Sequence, residues 1–375
     1  MLFYEKELKA LKKVNRLREI KLFSDDLTDL ASNDYLGLSH NKELLQKAYE
    51  KVNSYELHSP KASLLVNGYH DIHKEFEEYI SKRTGFEKTT VVGSGFLANI
   101  SLIEALVRKN DTLVLDEEFH ASGILSSKLV KHTLFFKHND SDDLKKVLNS
   151  IKSGRKIVAV EGVYSMEGDV LNKEIFDICD ETGSIMIVDE AHSSGVLGEN
   201  LLGVFDYFDI KPKPNHIKMA TLGKAIGSYG AYISASSHII SYLTNRAKPI
   251  IYSTASSVFD IALAHEGYRY IEKNRKTLSA KRDKLIDLAN SVFGTDLKSL
   301  ILKIEIADNK KVLELQNFAK EQGFLIGAIR EPTVKKAILR VILRVGEDES
   351  IVGEFLSNLS DKLHRNTTLP DPCHE

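Results

Sequence analysis

Four short apolar runs constrain the fold of this chain more than any other feature. They lie at about residues 90, 113, 158 and 187 and are separated by stretches with helical spacing. Short runs rich in Val, Ile and Leu read as buried strands. Their alternation with helices calls for a mostly parallel sheet with helices on both faces. The expected class is therefore α/β. Open sheets of this kind bind ligands at the carboxyl ends of their strands, so the residues just after each run are the candidates for chemistry.

Those residues are unusually polar. Thr89-Thr-Val-Val leads into Gly93-Ser-Gly95-Phe96-Leu-Ala98-Asn99, a strand, a glycine turn and a helix start. Free N–H groups and the helix dipole make such a start an anion site. Gly93-x-Gly95-x-x-Ala98 also matches a dinucleotide fingerprint, which leaves a nicotinamide-dependent oxidoreductase open as a reading of another class. Such fingerprints open the first βαβ unit, whereas this one lies some ninety residues in. After Thr112-Leu-Val-Leu-Asp116 comes His120-Ala-Ser122, where a flat imidazole beyond a strand end can stack on a pyridine ring. Lys156-Ile-Val-Ala-Val-Glu161 runs into Gly-Val-Tyr-Ser165-Met-Glu-Gly168-Asp169. Ser184-Ile-Met-Ile-Val-Asp189 delivers an acid at a strand end. A carboxylate there can keep a pyridine nitrogen protonated, which turns pyridoxal phosphate into an electron sink. His192, three residues on, can reach the ring hydroxyl.

The last element is Lys218-Met-Ala-Thr221-Leu-Gly-Lys224-Ala-Ile-Gly, with Gly223, Gly227 and Gly230 around the lysine. A lysine acts as a Schiff-base nucleophile when its surroundings lower its pKa. Thr221 can put a hydroxyl on a phosphate. With 51 Lys and Arg residues in the chain, Lys224 taken alone is a surface charge. Asp189, His192 and Lys224 in this order single it out.

Asp189-Glu-Ala-His192 followed by Thr221-Leu-Gly-Lys224 resembles the α-oxoamine synthase family of pyridoxal-phosphate enzymes, over about Arg16 to Leu356. These enzymes join an amino acid to an acyl thioester with loss of carbon dioxide. The resemblance implies a PLP-dependent transferase of fold type I, aspartate aminotransferase-like, with a smaller α+β C-terminal domain. The expected division is 1–45 for an N-terminal helix and substrate entrance, 46–257 for the cofactor domain, 258–364 for the small domain and 365–375 for a tail. The resemblance implies catalytic roles for Lys224, His120 and Asp189. Cofactor contacts fall to Gly95, Phe96, His120, Ser165, Asp189, His192, Thr221 and Lys224, and to Thr254 of Tyr252-Ser-Thr254 from the other subunit of a homodimer. Substrate contacts fall to Arg16, Asn33, His120, Thr333 and Arg340. No metal is expected. Lys224 holds the cofactor and removes the Cα proton. The implied pair is alanine and a pimeloyl group on coenzyme A or acyl carrier protein. Enzymes of the glycine C-acetyltransferase, serine palmitoyltransferase and 5-aminolevulinate synthase types share these motifs.

The chain departs from the family in two places. His58-Ser-Pro60-Lys61-Ala-Ser63 stands where the family has several glycines. Ala328-Ile-Arg330-Glu331-Pro332-Thr333-Val334 resembles Ala-Ile-Arg-Pro-Pro-Thr-Val, but the following Pro-x-Gly-Thr and Arg-Leu-Arg are replaced by Lys335-Lys-Ala-Ile-Leu-Arg340-Val-Ile342. A two-residue deletion aligns Arg340 with the arginine that clamps the amino-acid carboxylate, a role suited to a planar guanidinium. Without it Ile342 takes that place.

Net charge is −2, which gives no sign of a nucleic-acid surface. Residues 3–20 read as an amphipathic helix with Leu8, Leu11 and Leu17 on one stripe. His70, His73 and Glu77 do not follow His-Glu-x-x-His spacing, and a structural role is expected for them. Two cysteines, Cys179 and Cys373, suit a reducing cytoplasm. No apolar stretch reaches membrane-span length, and the N-terminus lacks a signal-peptide core.

Overall fold

The computed structural model describes residues 2–365, so Cys373 and the expected tail beyond Arg365 lie outside the described residues. Strands are numbered in chain order: β1 (Thr28–Leu30), β2 (Lys88–Val92), β3 (Thr112–Asp116), β4 (Thr133–Phe136), β5 (Lys156–Glu161), β6 (Ile185–Asp189), β7 (His216–Thr221), β8 (Ala231–Ala235), β9 (Ile301–Glu305), β10 (Phe324–Ile329) and β11 (Ile338–Ile342). The chain divides into two units. The larger holds residues 34–165 and 169–280, and the smaller holds 2–33, 166–168 and 281 onward. The division falls within the long helix Val258–Phe293.

The larger unit is built on a seven-stranded sheet in the order β2-β8-β7-β6-β5-β3-β4. β4, β3, β5, β6 and β7 run parallel, while β8 is antiparallel to both its neighbours. The class is α/β and mostly parallel, as the apolar runs require. Leu113, Leu115, Ile157, Ala159, Ile187, Ile217 and Met219 pack in one core with the helices Gly95–Leu106 and Ser237–Arg246. The alternate residues Val114, Val158, Val160 and Val188 are also fully buried, as a sheet covered on both faces demands. Each such side chain contributes about 1.5–3 kcal/mol on burial.

β7 is a strand that its own sequence disguises. His216 and Lys218 interrupt its apolar pattern, yet they are 0% and 1% exposed. Each is held by a charge: His216 Nε2 lies 2.9 Å from Asp180, and Lys218 Nζ 3.4 Å from Glu190.

Because β2 also runs parallel to β7, the ends of β2, β3, β5, β6 and β7 form one edge. On that edge stand the Gly93–Gly95 turn, Asp116, Glu161, Asp189 and Thr221.

The smaller unit carries a four-stranded sheet, β1-β10-β11-β9, with β1 parallel to β10 and the remaining pairs antiparallel. Asp308 caps its helix Asn309–Glu321, accepting from the N–H groups of Lys310 and Lys311 at 2.8 and 2.6 Å. Such a cap contributes about 1 kcal/mol. Residues 166–168 are tied to this unit by Ser299, whose hydroxyl donates to the Gly168 carbonyl at 2.6 Å.

The N-terminal helix is shorter than its composition suggests. It spans Leu2–Lys13 rather than 3–20. Asn15 takes a left-handed φ of 54°, and the Arg16 N–H turns back to the Leu11 carbonyl, which closes the helix. Leu8 is half exposed, so its stripe is not a buried one.

Candidate active site

The polar edge of the larger unit gathers the side chains singled out by sequence. Lys224 follows β7 in a tight turn. Gly227 there has a φ of 70°, and a Cβ would lie 2.7 Å from Leu38 Cβ. Only glycine allows that approach. The turn aims Lys224 at His192. Lys224 Nζ donates to His192 Nε2 at 2.7 Å, and His192 Nδ1 lies 2.5 Å from the Tyr35 hydroxyl. Accepting at Nε2 puts the ring proton on Nδ1, facing Tyr35.

Asp189 ends β6 and is 4% exposed. Its Oδ1 accepts from the Ala191 N–H at 2.9 Å, and its Oδ2 from Asn99 Nδ2 at 2.8 Å. Asn99 Nδ2 also donates to Ser122 Oγ at 2.9 Å, and Ser122 Oγ in turn lies 2.7 Å from His120 Nδ1. The Ser122 N–H meets the same Nδ1 at 3.2 Å. With two donors at Nδ1, the neutral His120 ring carries its proton on Nε2. Burial lowers the pKa of His120; Asp189 opposes the shift and Lys224 adds to it. His120 also caps the helix Ala121–Ser127.

Glu161 ends β5 directly opposite Asp189 in the register and is 1% exposed. Burial pushes its pKa well above the ordinary value, Asp189 pushes the same way, and Lys224 partly offsets both. Behind this edge, the Asp116 carboxylate accepts from the Tyr164 hydroxyl at 2.8 Å and the Asn139 N–H at 2.7 Å, and His138 bridges Asp116 and Asp169 at 3.1 Å each. These contacts tie the ends of β3 and β5 together.

Opposite the acids is an anion-accepting end. The helix Gly95–Leu106 begins on this edge, capped by Ser94, which accepts from the Leu97 N–H at 3.3 Å. The helix supplies no acceptor for the N–H groups of Gly95 and Phe96. A Cβ on Gly95 would lie 3.7 Å from Thr221 Cβ, so Gly95 and Thr221 flank one spot. Thr221 donates its hydroxyl to the Gly230 carbonyl at 3.0 Å. The Phe96 ring meets His120 edge-on at 6.5 Å.

Not every expected residue joins this group so directly. Ser165 uses its N–H on Glu161 Oε2 at 3.2 Å. Thr254 is exposed and pairs in a bridge with Ser63; among the described hydrogen bonds none joins it to the Lys224 cluster. Lys61, where the family has glycine, takes a glycine-like φ of 62°. His70 caps the helix Asp71–Thr84, His73 holds the Ser256 carbonyl, and Glu77 accepts from the Val91 N–H.

In the smaller unit, Arg340 on β11 is 5% exposed and donates to Asn33 Oδ1 at 3.0 Å. Two expected substrate residues are thus joined. Arg344 is spent on the Asp29 carbonyl and Glu347. Arg16, Arg18, Arg330, Glu331 and Thr333 line a cleft of about 230 Å³. There Arg16 pairs with Glu331, Arg18 donates to Thr333 at 2.6 Å, and Arg330 donates to the Asn15 carbonyl.

Sequence reasoning gave no role to Asn99 or Glu161, and placed Tyr35 only within the stretch at the substrate entrance. A signal existed for Asn99 and Glu161. Asn99 lies four residues after Gly95, on the same helix face, and Glu161 ends an apolar run just as Asp189 does.

The model of the class I and II aminotransferases matches residues 25–352. An 8-amino-7-oxononanoate synthase of Helicobacter pylori strain J99 is 44% identical over 96% of this chain and 97% of its own length. The chain belongs to the α-oxoamine synthases, within the class I and II aminotransferases. Like other α-oxoamine synthases of this kind, it is an acyltransferase of fold type I that uses pyridoxal phosphate. A serine palmitoyltransferase from S. paucimobilis with bound PLP superposes with a TM-score of 0.86, covering 97% of each chain at 20% identity, which speaks to the fold. An 8-amino-7-oxononanoate synthase from Francisella tularensis does so with a TM-score of 0.76 at 26% identity, over 92% of this chain and 100% of that one. The residues fit the cofactor: a lysine, a buried carboxylate held by two donors, and a helix start able to take a phosphate.

Proposed function

We propose that the protein condenses L-alanine with a pimeloyl thioester, on coenzyme A or acyl carrier protein, to give 8-amino-7-oxononanoate, carbon dioxide and the free carrier, in biotin synthesis. The observation that carries this reading is the Lys224–His192–Tyr35 and Asp189–Asn99–Ser122–His120 constellation on one strand edge, in a chain 44% identical to a relative of that name.

When bound, pyridoxal phosphate supplies a conjugated sink for the electron pair left on the substrate Cα. The chain's residues do the rest. Lys224 holds the cofactor and, as a free amine, takes the Cα proton. His192 fixes the direction of Nζ, with Tyr35 holding the ring behind it. Asp189, fixed in place by the Asn99 amide and the Ala191 N–H, would hold the ring nitrogen's proton. His120 offers a flat face and an Nε2–H from an imidazole whose tautomer Ser122 fixes. The N–H groups of Gly95 and Phe96 take the phosphate, Thr221 beside them, and Ser165 and His192 take the ring hydroxyl. Arg340, buried with Asn33, clamps the amino-acid carboxylate, and Arg16 and Thr333 meet the acyl chain. Residues so placed would hold the amino acid and the acyl thioester together for condensation, with the thiol carrier and carbon dioxide as the groups released.

We further place the enzyme in the cytoplasm as a homodimer, with Thr254 reaching the partner's cofactor phosphate. The support is an exposed apolar surface around Thr254, where Tyr252 is 77% and Val66 76% exposed. Among the described residues no helix is long and apolar enough to cross a membrane.

The test is carrier release measured across a panel of amino acids and acyl thioesters. Alanine with a pimeloyl thioester should give the highest kcat/KM. A preference for glycine with acetyl or succinyl thioesters, or serine with palmitoyl, replaces the proposed substrates while keeping the reaction class. Mixing inactive Lys224→Ala with inactive Thr254→Ala chains should restore part of the activity; a fully active monomer contradicts the shared site.

A further inference from the structure

Two acids at adjacent strand ends cannot both carry charge cheaply in a buried site, and their surroundings decide which one does. Asp189 has the Asn99 amide and the Ala191 N–H on its two oxygens, at 2.8 and 2.9 Å. Glu161 faces it across the β5–β6 pair, in register. Its Oε2 accepts one long hydrogen bond, 3.2 Å from the Ser165 N–H, the His120 backbone N–H also faces the carboxyl, and its Oε1 is buried without a hydrogen bond of ordinary length. An ionised Glu161 would leave an anionic oxygen unsatisfied inside the protein, a costly arrangement. A protonated one turns that oxygen into a donor. Asn99 Oδ1, at the same edge, is a buried acceptor without a partner. The charged and titratable groups that face Glu161 are Asp189 on β6, Lys224 after β7, His120 after β3 and Tyr164 after β5, with His192 beyond Lys224.

We propose that Glu161 is a positioning residue of this site: it stands beside Asp189 as an uncharged carboxylic acid, so that Asp189 is the charged member of the facing pair. Burial and the Asp189 charge both favour that form. The consequence reaches Lys224. A second anion at the edge raises the proton affinity of the lysine and holds it as an ammonium, which neither attacks a carbonyl nor takes a proton. Loss of the Glu161 proton therefore shuts the site on the alkaline side. This deepens the reaction proposed above and rests on it for its activity readout alone.

The test begins with the cofactor-free protein. Glu161 is an acid whose pKa is raised on folding, so its contribution to stability is present below the ordinary glutamate value of 4.5 and is lost as the pH climbs toward the folded value. The unfolding free energy of Glu161→Gln, taken relative to wild type, should therefore rise steadily as the pH climbs above 4.5. A flat or falling difference overturns the proposal. Because a variant can misfold, wild-type protein labelled with carboxyl-13C glutamate provides a second readout. At neutral pH its infrared spectrum should hold a protonated-carboxyl band that Glu161→Gln lacks and Glu77→Gln, at another buried glutamate with a raised pKa, retains; no band, or a band unchanged in Glu161→Gln, overturns the proposal as well. In the cofactor-loaded enzyme, Glu161→Gln should keep more of kcat than Glu161→Leu, lose the alkaline limb of the wild-type profile, and change the KM for the amino acid less than kcat. Equal losses in the two variants with an unmoved alkaline limb count against it. If the stability difference and the band are found but no amino acid and thioester pair reacts, the proposed reaction falls and the assignment of Glu161 stands. If the reaction is found and the difference is flat, the assignment alone falls.

Discussion

The strand edge of the larger unit and the arginine cleft of the smaller one are both polar and both rich in charge, yet they are built in opposite ways. At the edge, Asp189 and Glu161 are almost wholly buried, and Asp189 is held by other polar groups in a connected network. In the cleft, the Arg16–Glu331 pair is more than a third exposed on both sides, and each arginine has its own separate acceptor. The difference teaches where function is fixed and where it drifts. A buried network tolerates little change, because every lost partner strands a charge. A solvated cleft can change residues at small cost, and one of the two places where the chain departs from the family's motifs is this cleft.

The sharpest way to break this contrast is Lys224→Ala. The change removes the amine that holds the cofactor and takes the proton. Turnover should fall by at least about 10²–10⁴-fold with the thermal unfolding curve little moved. Retained turnover in rapid-quench assays would contradict the assignment. Asn99→Leu comes next. It takes one donor from Asp189 and one from Ser122, so kcat should fall about ten- to a hundredfold, in line with losing a hydrogen bond to a charged group. An unchanged kcat would mean the network does not hold Asp189.

Arg340→Ala tests the buried part of the smaller unit. The KM for the amino acid should rise about ten- to a hundredfold, with the KM for the thioester nearly constant. If Arg330→Ala or Arg344→Ala had that effect and Arg340→Ala did not, the register of β11 against the family's motif would be wrong. Glu331→Gln should have the smallest effect. It removes a half-exposed ion pair, and chemical denaturation should register about 0.2–1 kcal/mol. A loss of several kcal/mol would place the cleft with the buried edge after all.

These same contrasts govern what the sequence could tell. The parallel sheet was legible because β2, β3, β5 and β6 are apolar runs ending in turn or polar residues, a pattern that burial on both faces imposes. β7 was less so, since His216 and Lys218 look like surface residues until Asp180 and Glu190 are seen beside them. β4 is a short edge strand with two exposed residues in its middle, so no alternation marks it. At the site, Asp189, His192 and Lys224 stand out because their types and order suit one chemistry. Tyr35 does not: nothing local to it says that the fold will bring it to His192. The N-terminal helix failed for the opposite reason. Its periodicity is real, but Asn15 in the left-handed region closes it before Arg16.

The central claim is that the cofactor is held by Lys224 on the polar edge of the larger unit. The most direct measurement is borohydride reduction of the pyridoxal phosphate-loaded protein, followed by peptide mapping by mass spectrometry. A pyridoxyl mark on the peptide containing Lys224, absent from Lys224→Ala, is the result the account predicts. A mark on any other lysine of the wild-type protein at full occupancy, with Lys224 unmodified, would contradict it.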